Sequence, residues 1–251
     1  TIWVFGAWFG EKYSDNSKYL FEYVNKNHPE IRAIWLSKKS DVIEMIRNKG
    51  YEAFFTYSLK GYFYSLRSQV AIVCTSMHDT NEYIPPKYII NLWHGCPLKK
   101  IGYDDTISNI NMNSKSVNIL NAVFKFRRSI SDVDLAIASS NIEAHNLSTA
   151  FRIDIKKIAI TGLPRNDALF DYKENNKEFR VIYMPTHRKE GESDIGKLIF
   201  DQIDIINNQL VKLGIILYLK LHYYHQNDSI VSLLNSYSNI RLIIDENIDQ
   251  D

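Results

Sequence analysis

The sequence predicts an α/β protein built from two Rossmann-like domains, on three observations. Short apolar runs alternate with helical patterns along almost the whole chain, as in parallel sheets covered by helices. A length of 251 residues is enough to bury one large core or two smaller ones. Between residues 162 and 177 the pattern gives way to a polar stretch carrying Pro164, and a boundary inside it divides the chain into residues 1–165 and 166–251.

Ile2-Trp-Val-Phe5 reads as the first strand, followed by a helix near residues 15–26 with Leu20, Tyr23 and Val24 on one face and Ser14 or Asp15 placed to cap it. The unit then repeats as strand 31–36, a helix over 40–49 closed by Gly50, a short strand 53–55 and a helix over 59–67. Strands follow at 70–74 and 88–93, a helix within 114–128, a strand at 133–138, a helix over 141–150 and a strand at 157–161. The second set holds strands 179–184, 215–221 and 240–244, with helices near 195–213 and 228–236. Three strands and two helices make one βαβαβ half of a doubly wound sheet, so the second domain is expected to be incomplete and the chain a fragment.

Composition excludes several classes. Thirty Lys and Arg against 29 Asp and Glu leave a formal net charge of +1, which does not point to nucleic acid, so any anion site must be local. Cys74 and Cys96 are the two cysteines, too few for a disulfide framework and not a CxxC pair, and a reducing, cytoplasmic setting is expected. No apolar run approaches the roughly 20 residues that span a bilayer, and no secretory leader is read at the N-terminus.

The stretch Asn91-Leu-Trp-His-Gly-Cys-Pro-Leu-Lys-Lys-Ile-Gly102 carries most of the functional information. It sets His94 in a tight turn directly after a strand, with Gly95 and Pro97 breaking the strand and Lys99 and Lys100 placing positive charge beyond it. An imidazole takes or gives a proton near neutral pH, and the lysines suit an anionic substrate. A packed structural histidine is the competing reading. Ligands of open α/β sheets sit beyond the carboxyl ends of strands, and three more basic segments fall there: Thr161-Gly-Leu-Pro-Arg-Asn-Asp167, Met184-Pro-Thr-His-Arg188 and Lys220-Leu-His222. Arg165 and Arg188 can each grip phosphate oxygens at two points, and Thr186 offers a hydroxyl and a loop N–H. Together these residues describe a cleft for a diphosphate.

Each has a plainer alternative. Asp167 competes as a local salt-bridge partner for Arg165, and His187 as a packing residue. His222 and His225 are spaced as a metal pair without a third ligand, so no metal is expected. Asp132-Val-Asp134 precedes a strand and reads as a turn, and a Cys96 thiol nucleophile is disfavoured because neighbouring turn residues rarely point together.

The segment Trp93-His-Gly-Cys-Pro-Leu-Lys-Lys-Ile-Gly-Tyr-Asp104 resembles a motif of the CDP-glycerol:poly(glycerophosphate) glycerophosphotransferase family, the teichoic acid polymerases and primases. Matches continue in order through Lys12-Tyr-Ser-Asp-Asn16, Thr161–Asp167, Pro185-Thr-His-Arg188 and Lys220-Leu-His222 and so span nearly the whole chain. The resemblance implies a GT-B fold of two Rossmann-like domains facing a cleft, residues 1–165 on the acceptor side and 166–251 binding a CDP-activated donor. It implies transfer of glycerol phosphate or ribitol phosphate from that donor to a teichoic acid or capsule-type acceptor, without a cofactor. His94 and His222 match histidines regarded as essential, and Pro185, Thr186 and Arg188 match the donor-binding loop, with Gly95, Lys99, Lys100 and Arg165 as further substrate-binding candidates. Cys96 stands where Thr or Ser is usual, His187 where Trp is common, and an acidic, Ser-rich segment expected later in the family has no counterpart before Asp251.

On this reading an acceptor hydroxyl attacks the β-phosphorus, His94 acts as general base, and His222, Arg188 and Thr186 hold the diphosphate as CMP leaves. A GT-B glycosyltransferase using a nucleotide sugar and a non-catalytic nucleotide-binding domain of an envelope-assembly protein are the alternatives. The acceptor is expected to be a lipid-linked polyol phosphate or glycan, with no nucleic-acid partner. A peripheral site at the cytoplasmic face of the membrane is expected, and Val123-Phe-Lys-Phe-Arg-Arg128, which mixes aromatics with cations, suits contact with anionic lipid and a solvated helix face equally.

Overall fold

The computed structural model describes residues 1–84, 86–105, 132–170, 178–184, 201–220, 234 and 236–243. Among these residues ten strands alternate with helices: β1 (Ile2–Phe5), α1 (Asp15–Asn27), β2 (Arg32–Ser37), α2 (Ser40–Asn48), β3 (Ala53–Phe55), α3 (Leu59–Arg67), β4 (Val70–Val73) and β5 (Tyr88–Asn91). Then come β6 (Leu135–Ala138), α4 (Asn141–Phe151), β7 (Ile158–Ile160), α5 (Asp167–Phe170), β8 (Phe179–Tyr183), α6 (Ile203–Leu213), β9 (Ile215–Leu219) and β10 (Ile240–Leu242). The expected α/β alternation is present. The helix within 114–128 and the segment Val123–Arg128 lie outside the described residues, as does most of the helix near 228–236.

Strands β1 to β7 form one parallel sheet in the order β3-β2-β1-β4-β5-β6-β7. Its strands read as near-continuous apolar runs because both faces are covered. Alternate residues go to opposite sides: Val4, Ile34, Ala71 and Ala136 pack with Tyr64 of α3 and Leu147 and Phe151 of α4. Phe5, Trp35, Ile72 and Ile137 pack with Phe21 and Val24 of α1 and Val42, Ile43 and Ile46 of α2. Edge-to-face aromatic contacts fill the second layer, with Phe5–Phe21 centroids at 5.2 Å and Tyr13–Trp35 at 4.8 Å. The strand order reverses between β1 and β4, so the ligand crevice of such a sheet is expected beyond the carboxyl ends of these two strands.

Two local expectations change. Strand β5 ends at Asn91, two residues earlier than expected, because the Asn91 side-chain oxygen accepts the Trp93 N–H at 2.8 Å and Trp93 turns to φ +52°. His94 therefore lies three residues past the strand. Ser14 occupies the N-cap of α1 without a side-chain capping bond, while the Asp15 carboxylate accepts the Asn16 N–H at 2.8 Å.

Gly61 lets α3 lie directly on the end of β3. A β-carbon there would sit 2.3 Å from the Phe55 carbonyl oxygen and 2.4 Å from that of Thr56. Since backbone must move to accommodate it, Gly61→Ala is expected to destabilise the fold by about 1–3 kcal/mol despite its better helix propensity. A shift of the urea midpoint to lower concentration checks this, and an unchanged midpoint refutes it.

The chain gathers into two compact units, residues 1–172 and 173–250. The segment 164–170 stays with the first unit instead of being divided at residue 165, because Arg165 is bonded to α1. The described part of the second unit is a parallel sheet in the order β10-β9-β8 with α6, whose core is Ile203, Leu219, Leu234 and Ile240. Among the described residues no helix is long and apolar enough to cross a membrane.

Candidate functional site

Backbone strain concentrates at the sheet's switch point. Of the five non-glycine residues with positive φ among the described residues, Trp8, Phe9, Asp15 and Trp93 all border His94 or the loops that hold it. The chain leaves β1 through Gly6, where a β-carbon would fall 2.0 Å from the Asp79 carbonyl oxygen, so only glycine permits this approach of two loops. The fully buried Asp79 carboxylate then binds both loops. It accepts the N–H groups of Phe9 at 2.7 Å, Cys74 at 2.8 Å and Thr75 at 2.7 Å, together with the Thr75 hydroxyl. Asn91 continues the tie, donating to the Thr75 carbonyl at 3.3 Å.

His94 projects from the third loop into this frame. Its ring lies against Trp93, with centroids 4.1 Å apart, and against Trp8 at 5.1 Å. Trp93 is itself backed by Phe151 of α4 at 4.6 Å, and the Lys12 ammonium stands over Trp8 at 5.7 Å. Asn16, fully buried, donates to the carbonyls of Trp93 at 2.9 Å and Leu92 at 3.4 Å and accepts the Arg165 N–H at 3.2 Å. One side chain thus fixes the His94 loop, the start of α1 and the turn after β7. The Arg165 guanidinium completes the frame by pairing with the buried Asp15 carboxylate at 3.3 Å.

Burial lowers the His94 pKa below the ordinary imidazole value of 6.5, the attraction of Asp15 and Asp79 opposes this, and the positive charge of Arg165 adds to the lowering. The ring is therefore neutral at pH 7 and free to accept a proton. Cys74, fully buried in the core, is kept a thiol by burial and by the nearby Asp79.

The structure brings together three of the sequence-derived site residues. His94 and Arg165 share the frame, and Gly95 lies so close that a β-carbon on it would stand 3.2 Å from an Arg165 terminal nitrogen. Lys99 and Lys100 are exposed and line a neighbouring groove of about 570 Å³ with Tyr103, Asp104 and Asn146. Pro185, Thr186, His187, Arg188, His222 and His225 lie outside the described residues. Asp15 in α1, rather than Asp167, is the charged partner that holds Arg165. Among the described residues no group of three His, Cys, Asp or Glu is arranged to hold a metal ion.

Sequence reasoning missed Trp8, Asp15, Asn16 and Asp79 as site residues. Asp15 and Asn16 were signalled by the Lys12–Asn16 motif; Asp79 closes a local turn on Cys74 and Thr75, and its tie to Phe9, 70 residues away, is made only by folding.

Residues 2–248 match the model of the family described as CDP-Glycerol:Poly(glycerophosphate) glycerophosphotransferase. The chain is 28% identical over 268 residues to a teichoic acid glycerol-phosphate transferase of Staphylococcus aureus, covering 94% of this chain and 64% of that protein. It is 26% identical over 247 residues to a teichoic acid poly(glycerol phosphate) polymerase of Staphylococcus epidermidis, covering 89% of this chain and 32% of that one. The solved structure of the wall teichoic acid polymerase TagF superposes with a TM-score of 0.71 at 20% identity, covering 98% of this chain and 62% of TagF. That likeness gives the expected GT-B-like α/β class, and the chain spans less than two thirds of the length of these relatives. The chain belongs to the CDP-glycerol:poly(glycerophosphate) glycerophosphotransferase family.

Proposed function

We propose that the protein to which this chain belongs transfers a polyol phosphate, glycerol phosphate foremost, from a CDP-activated donor to a teichoic acid or capsule-type acceptor. The observation that carries this reading is His94, neutral and packed against two indoles beside the Asp15–Arg165 pair at the sheet's switch point. An acceptor hydroxyl oxygen attacks the β-phosphorus, a new phosphodiester bond forms, and the bond to the bridging oxygen of the departing CMP breaks. His94 takes the hydroxyl proton, a contribution of about 10²- to 10⁴-fold in rate. In line with the family resemblance the first domain serves the acceptor and the second the donor, with Arg188, Thr186, Pro185 and His222 assigned to the donor diphosphate and Gly95, Arg165, Lys99 and Lys100 as further substrate-binding residues. Cationic side chains carry the developing charge, so no metal or cofactor is required. A lipid-linked acceptor places the enzyme peripherally at the cytoplasmic face of the membrane.

Incubating the full-length protein with CDP-glycerol, CDP-ribitol and UDP-sugars in the presence of acceptor separates the readings. CMP release with a CDP-polyol is expected. UDP release alone assigns a glycosyltransferase, and thermal stabilisation by nucleotide without turnover assigns a binding domain; either outcome overturns the proposal.

A further inference from the structure

Helix α3 is amphipathic in the wrong sense for a helix whose only role is to cover a sheet. Its inward face buries one large side chain, Tyr64, which joins the core under the sheet, and otherwise only Gly61 and Ser65, followed by Ser68. The inward hydroxyls are satisfied locally, Ser65 donating to the Gly61 carbonyl and Ser68 to the Ser65 carbonyl, both at 2.8 Å. Its outward face carries Leu59, Phe63 and Leu66, which are 91%, 52% and 69% exposed. Spacings of four and three residues put these three on one stripe. A helix that sends one tyrosine into the core while turning two leucines and a phenylalanine to solvent presents a face for something else.

The surroundings say what kind. Exposed Lys60 and Arg67 flank the stripe, and α3 contains no acidic residue. The Arg67 guanidinium lies over Phe63 at 5.8 Å, so cation and ring occupy one layer. Next to the start of α3, along the sheet-edge strand β3, runs a concavity of about 780 Å³ lined by Ile43, Phe54, Phe55, Leu59, Arg47 and Lys60, with Glu44 its one acid. Arg47 and Lys60 each stand 5.5 Å from the Phe54 ring. Three cations therefore ring an apolar surface in a chain whose overall charge is only +1.

The geometry points to α3 and the β3 edge as a docking face for an anionic lipid surface: Leu59, Phe63 and Leu66 enter the headgroup boundary, and Arg47, Lys60 and Arg67 lie against the phosphates. This is the combination that holds interfacial helices, apolar side chains for insertion and basic ones for lipid charge. The face gives the proposed enzyme a defined surface toward a lipid-linked acceptor. It rests on that reading only for its purpose, since vesicle binding is read without transfer.

The test is hydrogen–deuterium exchange of the full-length protein with vesicles of phosphatidylcholine alone or mixed equally with phosphatidylglycerol. Residues 59–67 are expected to gain protection with the mixed vesicles, and to lose that gain at high salt. The Lys60→Gln/Arg67→Gln variant should bind the mixed vesicles about tenfold more weakly, and Leu59→Ser/Phe63→Ser/Leu66→Ser should abolish protection of this segment while leaving exchange elsewhere unchanged. Equal protection by both vesicle types overturns the charge assignment. Vesicle binding without protection of 59–67, or no binding, overturns the face itself, and protection that grows with protein concentration in the absence of vesicles assigns it to a second copy of the chain.

Discussion

Replacing His94 by Ala in the full-length protein is expected to reduce polyol-phosphate transfer by about 10²- to 10⁴-fold while leaving donor affinity and folding nearly unchanged. The ring lies at the rim of the sheet against Trp8 and Trp93 instead of filling the core, so its loss removes a proton acceptor and little packing. The pH profile carries the sharper test. Because burial holds the His94 pKa below 6.5, kcat/KM should rise as the ring deprotonates, with the acid limb centred below pH 6.5. Asp15 raises that pKa and Arg165 lowers it, so Asp15→Asn should move the acid limb to lower pH and Arg165→Gln to higher pH. Opposite displacements are what two charges facing one imidazole require, and a purely structural pair would not produce them. Normal turnover by the His94→Ala variant, or an acid limb that both neighbouring substitutions leave in place, would sink the assignment.

The parts of this site differ in how legible they are. The seven-stranded sheet follows from period: each strand is a short apolar run between helical patterns, and a two-faced sheet needs no finer signal. The four basic loops were visible because turn residues at strand ends mark where ligands collect. What the pattern could not convey is pairing across the chain. Arg165 looks as ready to pair with Asp167 two residues away as with Asp15, 150 residues away, and only the parallel packing of β1, β4, β5, β6 and β7 decides. The early end of β5 has the same origin. Tyr88–Trp93 is apolar enough to continue as strand, but the Asn91 side chain captures the Trp93 N–H and turns the backbone left-handed, a competition that propensity does not register. Helix α3 was placed correctly by its spacing, yet spacing is silent on which face is inward; Gly61 against the carbonyls of Phe55 and Thr56 settles that.

Asp79→Ala should have the largest effect on stability, about 3–5 kcal/mol, a large fraction of what holds a domain of this size together. The carboxylate is fully buried and takes three backbone N–H groups and one hydroxyl, drawn from the loops after β1 and β4. Removing it strands these donors where the close approach of Gly6 to the Asp79 backbone leaves little room for rearrangement. Asp79→Asn keeps the shape but turns an NH₂ toward groups that are already donors, so it should recover only part of the loss. Thr75→Val, which deletes the hydroxyl alone, should cost about 1 kcal/mol. Urea denaturation of the three variants gives the order. Because the same carboxylate fixes the loop carrying Trp8, which packs on His94, Asp79→Asn should also lower transfer at temperatures where the protein is fully folded, with faster amide exchange in residues 6–10. His94→Ala should leave that exchange untouched. If Asp79→Asn destabilises the protein while transfer by the folded fraction stays normal, then Asp79 supports the fold and not the placement of His94.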